Sequence, residues 1–364
     1  SVHGCNGVGD GRIGAIASYK IRCSGSCARS MKEAIAFAAS LGLRLPIFQA
    51  PVGSVAGSSL AAAVSQAGGM GALALTWTSP EDARRLIAEV RVRTDRPVQT
   101  NFVLAFAPES LPAALEAGVN VITFSWGMPV KEAALVKSFG ARFGVQVTGA
   151  EGVQQALDLG ADFLICQGIE AGGHVQATRP LDELLPTVLA VAQGVPVIAA
   201  GGMGDGKAIA RVLCLGASGV MLGTRFVATQ ESLAHDFYKR RLVDAGAADT
   251  VLTVCFDGGW PGTPHRVLSN ETLEKWKAAG SPQAGDRPGE GDLVATGTDG
   301  RFFIRYDDAP PLVSTQGDPA AMCLYAGTSC EAVGDVPTVS FLMEQLWREA
   351  WRSEIPLPTR EEFR

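Results

Sequence analysis

The chain has 364 residues, more than the roughly 250–300 at which one hydrophobic core usually stops growing, so a large domain with an appendage is expected. Hydrophobic residues make up 47% of the chain and glycines number 43, which is typical of a folded protein with many turns. The net charge of -6, without runs of Lys and Arg among aromatics, argues against a nucleic-acid partner. No run of about 20 uncharged apolar residues and no signal-peptide pattern occurs, so we expect no membrane association and a cytoplasmic location.

The N-terminal residues 1–30 are rich in Gly, Ser and Cys and have neither helical nor strand periodicity. We therefore expect residues 1–44 to form an extension that carries no function in its first part and a helix that opens at Met31. One cluster in this segment combines three cysteines with a histidine: His3, Cys5, Cys23 and Cys27. Its spacing does not fit the usual zinc sites, so no metal is predicted.

The other cysteines are predicted to be small buried thiols. Cys166 and Cys214 fall inside apolar runs, and Cys255, Cys323 and Cys330 are scattered through the C-terminal part. In a reducing compartment such residues behave as small apolar side chains.

From residue 45 onward, short apolar runs alternate with helical patterns. Eight runs can be counted, at residues 45–50, 72–77, 98–104, 121–126, 142–148, 163–167, 195–200 and 219–226. Most are continuously apolar, which is typical of parallel strands buried on both faces. Because they recur about every 20–30 residues, the length of one βα unit, the pattern predicts a (β/α)₈ TIM barrel over residues 45–245.

Capping residues divide these units, and the rhythm stops after residue 245. Ser79 and Pro80 are typical of a helix start, and four glycines stand where helices should end: Gly118, Gly140, Gly160 and Gly216. Residues 246–364 contain a Pro/Gly-rich stretch, a polar loop and a last helix around residues 337–351. We expect this part to be a C-terminal lid region.

In such a barrel the functional residues lie at the C-terminal ends of the strands and in the loops that follow. Four residues there present backbone N–H groups to an anion, after the seventh and eighth strands: Gly201, Gly202, Gly223 and Thr224. They predict a phosphate cradle. Residues 201–207 also resemble a P-loop, but Ala208 lacks the hydroxyl that binds magnesium, and Lys207 stands where a Rossmann motif needs its third glycine.

His174 is the predicted catalytic acid or base. The chain has four histidines, and only this one follows a barrel strand, in the run Gly-Ile-Glu-Ala-Gly-Gly-His of residues 168–174. The run predicts a flexible loop that can swing the imidazole over the barrel mouth. Thr76 and Ser125, at neighbouring strand ends, are tentative substrate contacts.

Four motifs together resemble the nitronate monooxygenase family, formerly called 2-nitropropane dioxygenases. They are residues 46–51 (Pro-Ile-Phe-Gln-Ala-Pro), 167–174, 199–203 (Ala-Ala-Gly-Gly-Met) and 219–226 (Gly-Val-Met-Leu-Gly-Thr-Arg-Phe). The resemblance implies a non-covalent FMN whose phosphate lies in the glycine cradle. The other implied cofactor contacts are Ala50, Pro51, Asn101, Gln146, Gln167, Gly172, Gly173 and Ala200. Gln146 and Gln167 stand where some relatives have a lysine and an acid, and Gln176 replaces a small residue.

The resemblance further implies oxidation of a small nitroalkane or nitronate by O2 to a carbonyl compound and nitrite, with His174 as the base. Residues 324–329 resemble a segment that closes over the flavin, and they make Tyr325 a tentative substrate contact. Two alternatives stay open: an NAD(P)H-dependent FMN reductase of the enoyl-ACP or quinone reductase type, and a flavin-free phosphate-binding barrel. A homodimer is also left open.

Overall fold

The computed structural model describes residues 25–353, and its first part is a parallel barrel. The strands in this part are β1 (Ile47–Gln49), β2 (Gly71–Ala74), β3 (Val98–Val103), β4 (Val121–Ser125), β5 (Arg142–Val147), β6 (Phe163–Gln167), β7 (Gly173–His174), β8 (Val197–Ala200) and β9 (Gly219–Leu222). All except β7 form one sheet, in the order β1-β9-β8-β6-β5-β4-β3-β2. Hydrogen bonds of 2.9 Å from Gln49 N to Met70 O and from Met70 N to Ile47 O close it. The predicted TIM barrel is confirmed.

Helices alternate with these strands. They are α1 (Gly25–Ser40), α2 (Ser58–Gln66), α3 (Pro80–Arg93), α4 (Leu111–Glu116), α5 (Glu132–Ser138), α6 (Ala150–Asp158), α7 (Leu181–Val191), α8 (Gly206–Cys214) and α9 (Thr224–Val227). The Ser79 hydroxyl accepts a hydrogen bond from Asp82 N at 3.1 Å and caps α3 as predicted. The four predicted helix-ending glycines all have positive φ angles, from +67° at Gly140 to +110° at Gly216. A side chain would strain this conformation, which explains glycine at these positions.

The two largest errors in the predicted element boundaries concern the eighth barrel strand and the leading helix. The eighth barrel strand was predicted over residues 219–226, but it ends at Leu222, and residues 224–227 form α9. Its apolar residues are buried in either conformation, so hydrophobicity alone could not separate the two. The leading helix begins at Gly25 rather than Met31, and Cys27 and Met31 are both buried.

A disulfide joins the first helix to the barrel. Cys27 on α1 is bonded to Cys214 at the end of α8, with 4.3 Å between the Cα atoms. The prediction that Cys214 is a small free thiol is therefore wrong, whereas Cys166, Cys255, Cys323 and Cys330 are buried free thiols. The other members of the N-terminal cluster, His3, Cys5 and Cys23, lie outside the described residues. Disulfides are typical of oxidising compartments, so the cytoplasmic location stays a prediction.

The C-terminal part lies over the barrel mouth and along the barrel's outside. Its elements are α10 (Asp236–Asp244), β10 (Thr250–Thr253), β11 (His265–Leu268), α11 (Glu271–Ala278), β12 (Leu293–Gly297), β13 (Phe302–Ile304), β14 (Thr315–Gly317) and α12 (Val339–Arg352). Strand β11 lies between β10 and β7, and β12 lies between β13 and β14. Helix α12 packs against α8 and α2. Among residues 25–353, no helix combines the length and apolar character that a membrane span requires. The domain boundaries at residues 45 and 246 stay predictions.

Candidate functional site

His174 lies in a strand that the C-terminal part holds in place. It forms β7 with Gly173 and pairs antiparallel with β11, where His265 is its partner. The next residue continues this contact, because Val175 N donates to Pro264 O at 2.9 Å. The sequence predicts a flexible loop here, whereas the structure places His174 in a short strand. The strand pairing holds the backbone of His174 at the mouth.

The His174 imidazole is neutral at pH 7. Its Nε2 atom is shielded from solvent and has no hydrogen-bond partner among the described residues. Burial, with a smaller contribution from the adjacent His265, lowers the pKa of His174 to about 4. A buried polar atom without a partner costs free energy. This atom therefore points to a group that the site is built to receive.

His265 is a neighbour that the sequence analysis set aside. Its side chain is fully buried, and its Nε2 accepts a hydrogen bond from Phe256 N at 3.2 Å. The ring proton must then sit on Nδ1, which donates to Thr263 O at 2.9 Å. Burial also lowers the pKa of His265, so this ring is neutral as well. The sequence gives no local signal for this role, because His265 stands between Pro264 and Arg266.

Three glutamine amides join the ends of β5 and β6 to the segment after His174. Gln146 Nε2 donates to Gln176 Oε1 at 2.9 Å and to Gln167 Oε1 at 3.4 Å. Gln176 N donates to Gln167 Oε1 at 2.9 Å. The amides of Gln146 and Gln167, two expected cofactor contacts, thus form a network with Gln176. Gln176, noted in the sequence only as a departure, orders this part of the mouth.

The two glycines after β8 adopt backbone conformations that disfavour side chains. Gly201 has φ +106° and Gly202 has φ +71°. A Cβ on Gly201 would lie 3.1 Å from Ala171 N, and one on Gly202 would lie 3.1 Å from Glu170 Cβ. These glycines therefore let the loop after β8 approach the loop after β6 closely. Gly223, which follows the neighbouring strand β9, is the N-cap residue of the short helix α9.

The C-terminal segment 326–328 closes over these loops. Gly327 N donates to the Thr224 hydroxyl at 2.9 Å, and Thr328 N donates to Glu170 O at 3.0 Å. A Cβ on Gly327 would lie 2.8 Å from Gly172 N, so Gly172 and Gly327 must both lack one for the segments to meet. The Thr224 hydroxyl therefore anchors the C-terminal segment, although it keeps a proton to donate.

The remaining predicted residues lie at the strand ends, and several hydroxyl or amide groups already have partners. The Thr76 hydroxyl accepts from Val103 N at 2.9 Å, and Asn101 Nδ2 donates to Thr123 O at 3.2 Å. The Tyr325 hydroxyl donates to Asp308 O at 2.8 Å, although its ring lies 5.7 Å from that of His174. The others lie directly at or after strand ends: Ala50, Pro51, Ser125, Gly173 and Ala200.

A row of aromatic rings that the sequence analysis missed leads outward from His174. Trp260, from the C-terminal part, lies 4.8 Å from the His174 ring and 4.8 Å from Trp126. Phe106 lies 5.1 Å from Trp260, and Trp77 lies 5.1 Å from Phe106. We call Trp77, Phe106, Trp126 and Trp260 the aromatic strip. No local pattern announces it, because its rings come from loops far apart in the sequence.

A family model matches this chain, and its relatives include a dehydrogenase and a nitronate monooxygenase. The family model described as nitronate monooxygenase matches residues 36–117 and 109–349. A (3aS,4S,5R,7aS)-5-hydroxy-7a-methyl-1-oxo-octahydro-1H-indene-4-carboxyl-CoA dehydrogenase from Mycobacterium tuberculosis is 39% identical over 241 residues, which span 65% of this chain and 66%, just under two thirds, of that protein. A nitronate monooxygenase from Pseudomonas aeruginosa is 34% identical over 301 residues, 69% of this chain and 84% of that protein.

Solved structures that share the fold across most of the chain include FabK and a nitroalkane oxidase. FabK from Thermotoga maritima has a TM-score of 0.71 at 28% identity, covering 87% of this chain and 95% of that chain. A nitroalkane oxidase from Streptomyces ansochromogenes has a TM-score of 0.68 at 29% identity, covering 86% of this chain and 97% of that chain. Both likenesses extend through the C-terminal part as well as the barrel.

Proposed function

This chain belongs to the nitronate monooxygenase family, and we propose that it uses FMN and O2 to convert nitronates to a carbonyl compound and nitrite. One observation carries the proposal: the neutral His174 imidazole has a buried Nε2 without a partner at the barrel mouth. The glycines after β8 lie at the same mouth and fit a phosphate-bearing group.

The residues that would hold FMN are those of the glycine cradle and the adjoining strand ends. Gly201, Gly202, Gly223 and Thr224 would bind its phosphate, and the amides of Asn101, Gln146 and Gln167 would adjoin the ring system and ribityl chain. The bound flavin would supply the electron acceptor for substrate oxidation. The residues of the chain would position the substrate and limit its access to water.

The low pKa of His174 favours a nitronate over a nitroalkane as the substrate. An imidazole whose pKa is about 4 is a weak base, so it would remove a carbon-bound proton slowly. A nitronate has already lost that proton. Its negative charge beside Nε2 would raise the pKa of the imidazole, and His174 could then hold a proton against a nitronate oxygen.

Neighbouring hydroxyls would complete the substrate contacts. The Thr76 hydroxyl accepts a hydrogen bond from Val103 N, so it would donate its own proton to a nitro oxygen. Ser125, the last residue of β4, would be a second hydroxyl contact. The Tyr325 hydroxyl already donates to Asp308 O, so Tyr325 would meet the substrate through its ring.

An anaerobic titration of the purified protein tests this function. The protein should be yellow, and propionate 3-nitronate should bleach the flavin faster than nitroethane does, while NADPH has little effect. Readmission of O2 should restore the colour and release nitrite. Bleaching by NADPH and not by the nitronate would support the reductase alternative. A colourless protein that does not bind added FMN would support the flavin-free barrel.

A dehydrogenase acting on a ring-bearing acyl-CoA is the second candidate. It is favoured by the relative that is 39% identical and is named for such a substrate. The same titration separates the two functions, because the hydroxy-indane carboxyl-CoA named there would bleach the flavin and propionate 3-nitronate would not.

A further inference from the structure

The aromatic strip is partly exposed, and its outermost ring has little to cover it. The Trp77 side chain is 62% exposed, and the other three rings are partly buried against one another. The ring pairs Trp77–Phe106, Phe106–Trp260 and Trp126–Trp260 meet edge to face. Aromatic rings pack favourably in this arrangement, and the exposed Trp77 ring can pack against a further ring. A surface of this kind marks a site for an apolar ligand.

The backbone of one residue of the aromatic strip, Trp126, is held in an unfavourable conformation. Trp126 has φ +58°, a value that residues other than glycine rarely adopt. Its N–H donates to Gln176 Oε1 at 3.2 Å, and so the glutamine network that joins the ends of β5 and β6 also fixes Trp126. Strained residues persist where their surroundings hold them, and they are concentrated at functional sites.

The strip lies across the mouth from the glycine cradle. Trp77, Phe106 and Trp126 follow β2, β3 and β4, whereas Gly201 and Gly223 follow β8 and β9. In the closed order of the eight strands, β3 stands opposite β8 and β4 stands opposite β9. A phosphate held in the cradle therefore lies on the far side of the mouth from the strip.

We propose that the aromatic strip binds a planar apolar part of the substrate and thereby selects compounds with at least two fused or linked rings over short aliphatic ones. The proposal rests on the proposed function only for the identity of the reacting group, which would lie at His174. A planar ring system that starts there extends over Trp260 and Phe106 toward Trp77. A compound the size of nitroethane covers none of the outer rings, so they add nothing to its binding.

Equilibrium binding of unreactive carboxylates tests the proposal on the purified holoprotein. Isothermal titration calorimetry would compare 2-naphthylacetate, phenylacetate and propionate in the wild type and in Trp77→Ala, Phe106→Ala and Phe139→Ala. Phe139 is a matched control, since it is an exposed aromatic that follows α5 at the opposite end of the barrel. We expect the affinity for 2-naphthylacetate to be at least about tenfold higher than the affinity for propionate. Trp77→Ala and Phe106→Ala should each weaken it about threefold to tenfold, and Phe139→Ala should not.

Two outcomes would overturn the proposal: equal affinities for the three probes, or an unchanged 2-naphthylacetate affinity in Trp77→Ala and Phe106→Ala. A loss of thermal stability in these variants without a loss of affinity would assign the strip to packing alone. The result is separable from the test of function. Tight naphthyl binding without nitronate turnover would reject only the proposed reaction, and nitronate turnover without ring selectivity would reject only the strip as a substrate site.

Discussion

His174 and His265 are cross-strand partners whose ring centroids lie 5.5 Å apart. One belongs to the barrel's sixth βα connection and the other to the C-terminal part, so the pair joins the two at the mouth. His265 is locked neutral by its two backbone partners, and a positive charge on His174 would have to form in a buried place beside it. Burial at this junction thus favours a neutral His174.

The pH dependence of catalysis should reflect this pair. Because the pKa of His174 is lowered to about 4, the imidazole stays neutral until the pH falls to that value. We expect kcat/KM for a nitronate to rise toward acid pH and to level off near pH 4, where the free His174 already holds the proton that it places against the nitronate oxygen, and His174→Gln to lack this limb. Steady-state rates from pH 3.5 to 8 would measure it, and a wild-type limb at about 6.5 would contradict it.

The same shift predicts a change in stability with pH. In the unfolded chain His174 has an ordinary histidine pKa near about 6.5. Between that pH and about 4, His174 is protonated in the unfolded chain and neutral in the folded chain. The contribution of the neutral His174 to the free energy of unfolding is therefore fully present above about pH 6.5 and is lost as the pH falls toward about 4. Urea unfolding at pH 7.0 and 5.0 should give a smaller midpoint difference in His174→Gln than in the wild type. Equal differences would count against a buried neutral His174.

Replacing His174 by Ala separates proton removal from nitronate binding. If His174 removes the α-proton, nitroalkane turnover should fall about 100-fold or more, the range of general base catalysis, while nitronate turnover falls less. Rates with nitroethane and with its preformed nitronate would be compared in the same preparation. An equal loss on both substrates would argue for a role in binding the anion or positioning the flavin.

The glycine cradle predicts a selective loss of flavin binding. In Gly202→Ala, the side chain must adopt φ +71° and lies 3.1 Å from Glu170 Cβ, so the loop should shift away from the phosphate position. We expect FMN affinity to fall about tenfold or more, measured by the quenching of FMN fluorescence on titration of the apoprotein. Gly118→Ala is the control, because its φ of +81° gives similar strain with no atom within 4 Å. Equal FMN affinities in the two variants would remove Gly202 from the phosphate site.

The barrel could be predicted because its signals are local. The run at residues 163–167 matches β6 at both ends, and glycines mark the helix ends before several strands. The eighth strand was overextended because residues 219–226 are apolar through both the strand and the following helix. Local hydrophobicity reports burial, and it does not distinguish a buried strand from a short buried helix.

The site was predicted less completely because much of it depends on contacts between distant segments. His174 was found from its place after a barrel strand, but its fixed position comes from pairing with β11. Trp126 and Trp260 meet only once the C-terminal part folds onto the mouth. The periodicity of each segment does not indicate which distant segment it contacts. The sequence alone could therefore predict His174 but not the residues around it.

The disulfide between α1 and α8 gives the last prediction. Cys27 and Cys214 are separated by 187 residues, and a crosslink that closes so long a loop restricts the unfolded chain strongly. Reduction should lower the free energy of unfolding by about 2–4 kcal/mol, the typical contribution of a native disulfide. Urea midpoints with and without dithiothreitol would measure this, and thiol titration in denaturant should find at least two more thiols after reduction, those of Cys27 and Cys214. The double variant Cys27→Ser/Cys214→Ser is the control, since its midpoint should be low in both conditions. A wild-type midpoint that does not respond to dithiothreitol, despite the gain of two thiols, would mean that the packing of α1 against α8 holds this helix without the crosslink.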